Sequence, residues 1–202
     1  MILSNVEIQK ALDDGRLMIK PEPLPRLPQL DEAMGEVKCA YDTTSVDLTL
    51  GDEIAVLEPQ GSPMSIDFRH GKFAPLSDRF SKSFKITPEQ PFSLERGRFV
   101  LGKTHEWVDL PIVKDGRTCL MARVEGKSSF ARCGMLVHFT APTIHAGYGG
   151  TITLEIIHHG PFPILLYPRM RICQLVVEEV AGVPFEKKSQ FHEQTRPGGQ
   201  KG

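Results

Sequence analysis

Short runs in which hydrophobic and polar residues alternate make up much of the chain from residue 45 onward. In the segment 45–50, every second residue is a valine or a leucine and the residues between them are polar, which is the pattern of a strand with one buried face. Comparable runs, rich in β-branched and aromatic residues, predict strands at 99–102, 108–111, 136–139, 151–157 and 172–177. Glycine and proline separate these runs, and no long helical period intervenes. The sequence therefore predicts a mainly β fold, either a sandwich or a barrel.

The N-terminal region predicts a short helix followed by an extended segment. Ser4 with Glu7 three residues later forms a capping-box pattern, which marks the start of a helix. Residues 13–15, Asp-Asp-Gly, are expected to end this helix. Its apolar face is predicted to consist of Val6, Ile8, Ala11 and Leu12. Four prolines between positions 21 and 28 then exclude both a helix and regular ladder bonding, so this part is expected to be an extended surface segment.

Composition and charge are those of an ordinary globular domain. The chain has 202 residues, 40% of them hydrophobic, and its 24 basic residues nearly balance 25 acidic ones. This balance argues against a dedicated nucleic-acid binder, which would need a basic excess. The sequence contains neither an apolar run of about 18 residues that could span a membrane nor a secretory signal pattern. We expect a cytoplasmic protein with a single domain over 1–185 and a C-terminal tail over 186–202, mobile unless it is tied down and able to close over an active site.

The cysteines and histidines give no metal-site pattern. Cys39, Cys119, Cys133 and Cys173 are widely spaced, so we expect reduced thiols that are buried or inert. Zinc-dependent nucleobase deaminases need His-x-Glu and Cys-x-x-Cys motifs, and the chain has neither. The neighbouring residues His158 and His159 would point to opposite sides of a strand. We therefore expect them to be solvated rather than to share a metal ion.

Two loops and one strand carry the residues of greatest chemical interest. The loop 126–132 combines small hydroxyls, backbone amides and two cations, which suits a polyphosphate. It is not a P-loop, because that motif needs a glycine where Met121 stands. A glycine-rich turn at 144–150 lets a ligand approach the backbone closely. Glu155 follows as the one carboxylate in an apolar strand, where burial is costly without a partner or a function. Taken singly, these features could equally be a solvated turn and an exposed glutamate on an edge strand.

In combination, these segments resemble the active-site core of the dCTP deaminase family. The resemblance rests on 126–141, 144–150 and the run Ile152-Thr-Leu-Glu155. Shorter matches extend it over most of the chain, at 1–17, 19–21, 45–51, 99–111 and 168–175. The resemblance implies a distorted jelly-roll β fold of the dUTPase-like type with a short N-terminal helix, assembled as a homotrimer with active sites between subunits. It also implies hydrolytic deamination of dCTP to dUTP without zinc, with magnesium bound to the triphosphate.

The resemblance also implies roles for single positions. Glu155 would activate water for attack on C4 of the cytosine, while Ser128 and Arg132 would orient the water, the base and the developing charge. Ala141 would leave room beside the reaction centre. The remaining nucleotide contacts would come from Lys127, Ser129, His145, Tyr148, Thr153, Leu154, Gln174 and Gln194. No residue is implied as a direct metal ligand.

Several positions depart from the family pattern and leave alternatives open. Lys127 replaces an arginine and lacks its bidentate fork. His145 replaces an aspartate that holds the deoxyribose hydroxyl and, in dUTPases, helps to activate the attacking water. Thr143 replaces a second arginine, and Gln190-Phe191 replaces Lys-Tyr in the tail.

These departures allow three outcomes. The protein is a dCTP deaminase with a remodelled pocket, an enzyme for a related nucleotide, or a nucleotide-binding paralogue with weak or no catalysis. The alternative activity is that of a dUTP diphosphatase, or of a bifunctional enzyme that forms dUMP. The missing aspartate counts against this alternative.

Overall fold

The structure, a computed structural model, describes residues 1–32, 35–58, 67, 69, 77, 80–187 and 191–198. Within these ranges the chain forms two helices and fifteen strands. The helices are α1 (Asn5–Asp13) and α2 (Ser128–Arg132). The strands are β1 (Met18–Lys20), β2 (Gln29–Asp31), β3 (Glu36–Lys38), β4 (Tyr41–Asp42), β5 (Ser45–Thr49), β6 (Glu53–Leu57), β7 (Ser81–Lys85), β8 (Phe92–Leu94), β9 (Phe99–Asp109), β10 (Cys119–Gly126), β11 (Met135–Val137), β12 (Thr143–Ile144), β13 (Gly149–His158), β14 (Ile164–Leu166) and β15 (Arg171–Val180). Gln190 of the predicted tail lies outside the described residues.

Two antiparallel sheets share one hydrophobic core. The first sheet has the strand order β11-β13-β9-β6-β7, with β1 also paired to β9, and the second has the order β12-β10-β15-β5-β4. Buried side chains from both sheets, among them Leu48, Leu154, Ile156 and Leu175, belong to the same core cluster. Neighbouring strands within each sheet are mostly distant in sequence. The fold is of the jelly-roll type, which confirms the predicted fold class.

The N-terminal helix is confirmed, with one difference on its apolar face. The Ser4 hydroxyl accepts a hydrogen bond from the amide of Glu7 at 3.4 Å, and the helix starts directly after Ser4. Ile8 and Ala11 are fully buried, but Val6 is 68% exposed. A helix turns by about 100° per residue, so Val6 lies roughly 200° around the axis from Ile8 and faces away from the core.

The predicted strands at 99–102 and 108–111 are parts of one strand, β9. The intervening stretch contains the buried polar residues Thr104 and Glu106, which obscure the apolar pattern. Both are satisfied internally: the Thr104 hydroxyl donates to the backbone oxygen of Glu106 at 2.7 Å, and the Glu106 carboxylate accepts from the hydroxyl and the amide of Thr49 at 2.6 and 2.9 Å. Because their polar atoms are hydrogen-bonded, these two side chains can be buried in the strand in the same way as the apolar ones.

A close backbone contact fixes the end of β13 against the connection between α2 and β11. A Cβ atom on Gly160 would lie 2.0 Å from the Cys133 carbonyl oxygen, and one on Gly134 would lie 2.4 Å from the Gly160 nitrogen. The amide of His159 donates to the Gly134 oxygen at 2.8 Å. Next to this contact, His158 is fully buried, with its Nε2 2.7 Å from the Phe162 oxygen. The prediction of a solvated side chain is therefore wrong for His158, because its position in β13 faces the core.

The cysteines and helices add two observations. All four cysteines are free; Cys119 and Cys173 are buried and Cys39 is partly buried, whereas Cys133 is exposed. Three of the four thiols are thus buried or partly buried, as expected, and Cys133 lies at the surface just after α2. None of the helices in the described ranges has the length and hydropathy needed to cross a membrane.

Candidate active site

The strand β13 presents its chemically active residues on the side away from the core. Leu154 and Ile156 are fully buried in the core, whereas Thr153 and Glu155 occupy the alternate, partly exposed positions. This follows from the period of two along a strand. Because the Leu154 side chain points into the core, only the backbone of this residue can contact a ligand on the outer face of the first sheet.

Glu155 forms a close pair with His138, a residue to which no functional role was assigned from the sequence. His138 Nδ1 lies 2.8 Å from Oε2 of Glu155, and the His138 amide donates to the Glu155 backbone oxygen at 2.7 Å. The other ring nitrogen, Nε2, lies 2.9 Å from the Ala141 carbonyl oxygen. The imidazole thus bridges the carboxylate and the segment that contains Ala141.

The environment of this pair raises the pKa of His138. Burial by itself lowers the pKa of the imidazole, but the hydrogen bond and the negative charge of Glu155, together with the nearby carbonyl of Ala141, outweigh it. The side chain of His138 is 6% exposed and that of Glu155 is 32% exposed. Glu155 is therefore more accessible than the apolar run around it suggested. The site combines a solvent-accessible carboxylate with a largely buried imidazole that holds it.

His138 also has an uncommon backbone conformation. Its φ is 56°, in the left-handed region that residues other than glycine seldom adopt. Such a conformation costs on the order of 1 kcal/mol and persists where the surrounding contacts fix it. Here the contacts on both ring nitrogens and on the amide can fix it.

The loop between the two sheets places the predicted phosphate contacts at the surface. Ser128, Ser129 and Arg132 lie on the short helix α2 and are exposed. The amides of Phe130 and Ala131 donate to the Lys127 oxygen at 3.1 and 3.0 Å. These two amides therefore bind within the turn itself. The exposed hydroxyls of Ser128 and Ser129 are the groups that could bind a ligand there.

Lys127 is held by a carboxylate of the second sheet. Its Nζ lies 2.6 Å from Asp47 Oδ1, and Arg171 approaches the other carboxylate oxygen at 3.6 Å. Gln174 is the Cα partner of Asp47 across the β15–β5 ladder. The structure therefore brings Lys127 and Gln174 together around Asp47, a residue that the sequence analysis treated only as part of a strand.

A third group of predicted residues links the glycine-rich turn to the C-terminal tail. The Tyr148 hydroxyl donates to the Thr151 oxygen at 2.6 Å, and burial raises the pKa of this phenol, which keeps it protonated. The Gln194 side-chain amide donates to the same oxygen at 2.8 Å and to the Tyr148 hydroxyl at 3.1 Å. Gln194 is 4% exposed. His145, in contrast, is exposed at the start of the turn.

The predicted site residues thus form three groups in a single chain. The first contains Glu155, Thr153, Leu154 and Ala141, the second Lys127, Ser128, Ser129, Arg132 and Gln174, and the third Tyr148 and Gln194, with His145 nearby. Within the described ranges, the Glu155 carboxylate has His138 as its polar side-chain partner and makes no ion pair with Arg132. No group of three or more His, Cys, Asp or Glu side chains suited to a metal ion occurs among the described residues.

The fold and this site define a class: a jelly-roll β protein with an accessible carboxylate on the outer face of a sheet strand. A solved protein with this fold is the 2'-deoxycytidine 5'-triphosphate deaminase from Agrobacterium tumefaciens. It superimposes with a TM-score of 0.59 at 21% identity over 87% of this chain. The chain spans 47% of the length of that solved chain.

Sequence comparisons identify the family. The family model described as dCTP deaminase-like matches residues 2–180. A protein of Dictyoglomus thermophilum named "dCTP deaminase, dUMP-forming" is 36% identical, with 98% of this chain and 92% of the relative covered. A protein of Natronomonas pharaonis named "dCTP deaminase" is 37% identical with the same coverage. The chain belongs to the dCTP deaminase-like family.

The Glu155–His138 pair predicts a pH-dependent contribution to stability. Replacing Glu155 with glutamine should lower the free energy of unfolding by about 1 kcal/mol at about pH 5.5, a moderate value because Glu155 is partly exposed. The pKa of His138 is raised in the folded protein. The stabilisation is therefore fully present below the ordinary histidine pKa of about 6.5 and is lost as the pH rises through the raised pKa.

Urea unfolding of both proteins at about pH 5.5 and about pH 9 checks this prediction. Glu36→Gln on the exposed strand β3 is the matched control. If Glu155→Gln lowers the free energy of unfolding by the same amount at both pH values, the stabilisation does not depend on protonation of His138 and the prediction is wrong.

Proposed function

We propose that the protein is a dCTP deaminase that converts dCTP and water to dUTP and ammonia without zinc. The observation that carries this proposal is the accessible Glu155 carboxylate held by His138 on the outer face of the first sheet. Membership of the dCTP deaminase-like family and the names of the relatives support the choice of substrate.

In this proposal, Glu155 is the general base. It takes a proton from water, whose oxygen attacks C4 of the cytosine, and it returns a proton to the amino group as the C4–N bond breaks and ammonia leaves. His138 positions the carboxylate from its buried side. The backbone at Thr153 and Leu154 reads the pyrimidine edge, which fits the burial of the Leu154 side chain. Ala141 leaves room for the amino group.

The triphosphate is proposed to bind at the second group of residues. Lys127 is paired with Asp47, whose ladder partner is Gln174 on β15, and Ser129 lies two residues after Lys127 on α2. Magnesium is proposed to arrive with the triphosphate as part of the substrate. The part of the site that holds the sugar and the phosphates is proposed to be lined also by Tyr148, His145 and Gln194.

The active site is proposed to lie between subunits of a homotrimer. Ser128 and Arg132 are exposed, and within the described ranges Arg132 makes no ion pair with Glu155 of the same chain. Leu136 and Phe139, close to His138 in sequence, are 39% and 44% exposed. An apolar surface of this kind beside a catalytic carboxylate is typical of a protein interface. In the trimer, Ser128 and Arg132 of a neighbouring subunit would complete the site around Glu155.

The replacement Glu155→Gln tests the mechanism. We expect ammonia release from dCTP to fall by a factor of about 10³ or more, because the base is lost, while dCTP still raises the temperature of unfolding. The measurement is an ammonia assay beside a thermal-unfolding assay, with Glu36→Gln as a control that should behave like the wild type. Ammonia release that persists in Glu155→Gln would rule out the mechanism.

Mixing two inactive variants tests the shared site. Glu155→Gln and Arg132→Ala should each be inactive alone, but subunits exchanged between them should recover about a quarter of the wild-type rate. In random trimers, one interface in about four combines an intact Glu155 with an intact Arg132. The ammonia assay after dissociation and reassembly measures this recovery. A mixture that stays inactive would place both residues of one site in the same chain.

The alternative function is a dUTP diphosphatase, or a bifunctional enzyme that forms dUMP, as the name of the Dictyoglomus thermophilum relative indicates for that protein. The two functions differ at position 145, where His145 stands in place of the aspartate that helps to activate the attacking water in the resembled dUTPases. We expect the wild type to release ammonia from dCTP without pyrophosphate. The variant His145→Asp should gain pyrophosphate release.

Parallel assays of ammonia and pyrophosphate with magnesium present separate the two activities. His145→Asn, which has a similar size and no negative charge, is the control and should not gain the second activity. Pyrophosphate release by the wild type would establish the bifunctional enzyme instead.

A further inference from the structure

The C-terminal tail lies against the same sheet that carries Glu155. The backbone oxygen of Gln194 accepts from the Thr151 amide at 3.0 Å and from its hydroxyl at 3.1 Å, and the Glu193 amide donates to the Gly149 oxygen at 2.6 Å. These bonds attach the tail to the N-terminal end of β13. They fix where the tail meets the sheet, but they do not determine its direction beyond Gln194.

Beyond Gln194, a lysine of β9 contacts the tail. Lys103 Nζ donates to the backbone oxygen of Thr195 at 2.7 Å. An ammonium group that donates to a carbonyl forms a charge-assisted hydrogen bond, which is stronger than a neutral one. Lys103 and Thr195 are 92 residues apart in sequence. Their hydrogen bond therefore joins the tail to a strand in the middle of the sheet.

The fold leaves a space for this side chain. A Cβ atom on Gly51 would lie 3.1 Å from Cγ and 3.3 Å from Cε of Lys103. The stem of Lys103 therefore packs against the backbone of Gly51, and its direction towards the tail is fixed by packing as well as by the hydrogen bond.

The position of Lys103 in the sheet relates the tail to Glu155. Lys103 is the Cα partner of Thr153, and the next outward-facing residue of β13, Glu155, pairs with Leu101. From Thr195 the tail continues to β6 and β7, where residues 196–198 bound a cavity of about 240 Å³ together with Glu53 and Ser83. The tail thus contacts Lys103, two residues along β9 from the ladder partner of Glu155, and then crosses the outer face of the first sheet towards β6 and β7.

We propose that Lys103 is a positioning residue that clamps the C-terminal tail across the outer face of the first sheet, so that the tail forms one wall of the site containing Glu155. The structural part of the proposal is that Lys103 holds the tail in place, and it does not depend on what the protein catalyses. The functional part, an effect of the tail on turnover, rests on the proposed deaminase function.

The variant Lys103→Met tests the structural part. Methionine keeps an unbranched stem that can pack on Gly51 and removes the ammonium group. We expect amide hydrogen exchange in the peptide 191–198 to become about ten-fold faster or more, because the charge-assisted bond is lost. Exchange in β9 and β13 away from the tail should be unchanged. Lys85→Met, on an exposed side chain of β7, is the matched control.

The same variants test the functional part by steady-state kinetics. Lys103→Met should raise the KM for dCTP while kcat stays within about two-fold of the wild type, since Lys103 does not touch the reacting atoms. Lys103→Arg should restore the KM, because arginine can also donate to the Thr195 oxygen.

Two results would overturn the inference, and they differ in what they mean. Unchanged exchange in 191–198 would show that Lys103 does not hold the tail. Faster exchange with an unchanged KM, in a protein that deaminates dCTP, would show that the clamped tail is not a wall of the site. If the protein does not deaminate dCTP at all, the exchange experiment still decides the structural part.

Discussion

The pairing of β13 with β9 is the constraint on which the arrangement of the site depends. These two long strands form the centre of the first sheet, and their register places Glu155 opposite Leu101 and Thr153 opposite Lys103. Because side chains alternate along a strand, a shift by one residue would bury Glu155 and expose Leu154. The register is secured by the buried apolar residues on the inner face. The packing of the core therefore determines the place of Glu155 in the sheet, and the contact with His138 then orients its carboxylate.

Competing electrostatic effects determine the state of the Glu155–His138 pair. Burial of the His138 ring disfavours its charged form, and in an apolar surrounding it would make the imidazole neutral. The carboxylate 2.8 Å from Nδ1 and the Ala141 carbonyl beside Nε2 reverse this effect. The carboxylate thus lies beside one ring nitrogen of His138 and the Ala141 carbonyl beside the other, so the imidazole can hold Glu155 on its buried side. The Glu155 side chain is 32% exposed, which leaves it open to water.

The alternating pattern predicted a mainly β fold and strands within β13 and β15, because their inner faces are apolar at every second residue, and the family resemblance implied the jelly-roll type. It did not predict the continuity of β9, where Thr104 and Glu106 are buried with internal hydrogen bonds. It also missed His138, since the strand β11 ends at Val137 and the residue after it turns into the left-handed region. A local pattern carries no information about such a turn. Likewise, the spacing of Lys127 and Asp47 along the chain gives no sign that they form an ion pair.

Two buried polar atoms close to the candidate site have no hydrogen-bond partner among the described residues of the chain. Within the described ranges, the buried Thr153 hydroxyl has no hydrogen-bond partner, and neither has the side-chain oxygen of Gln194. Buried polar groups are nearly always satisfied in native proteins, and both atoms belong to residues on the outer face of the first sheet or in the tail bound to it. Ser128 and Arg132, in contrast, have their polar groups at the surface. A bound ligand could complete the hydrogen bonding of these two atoms, and the proposed nucleotide site lies next to both of them.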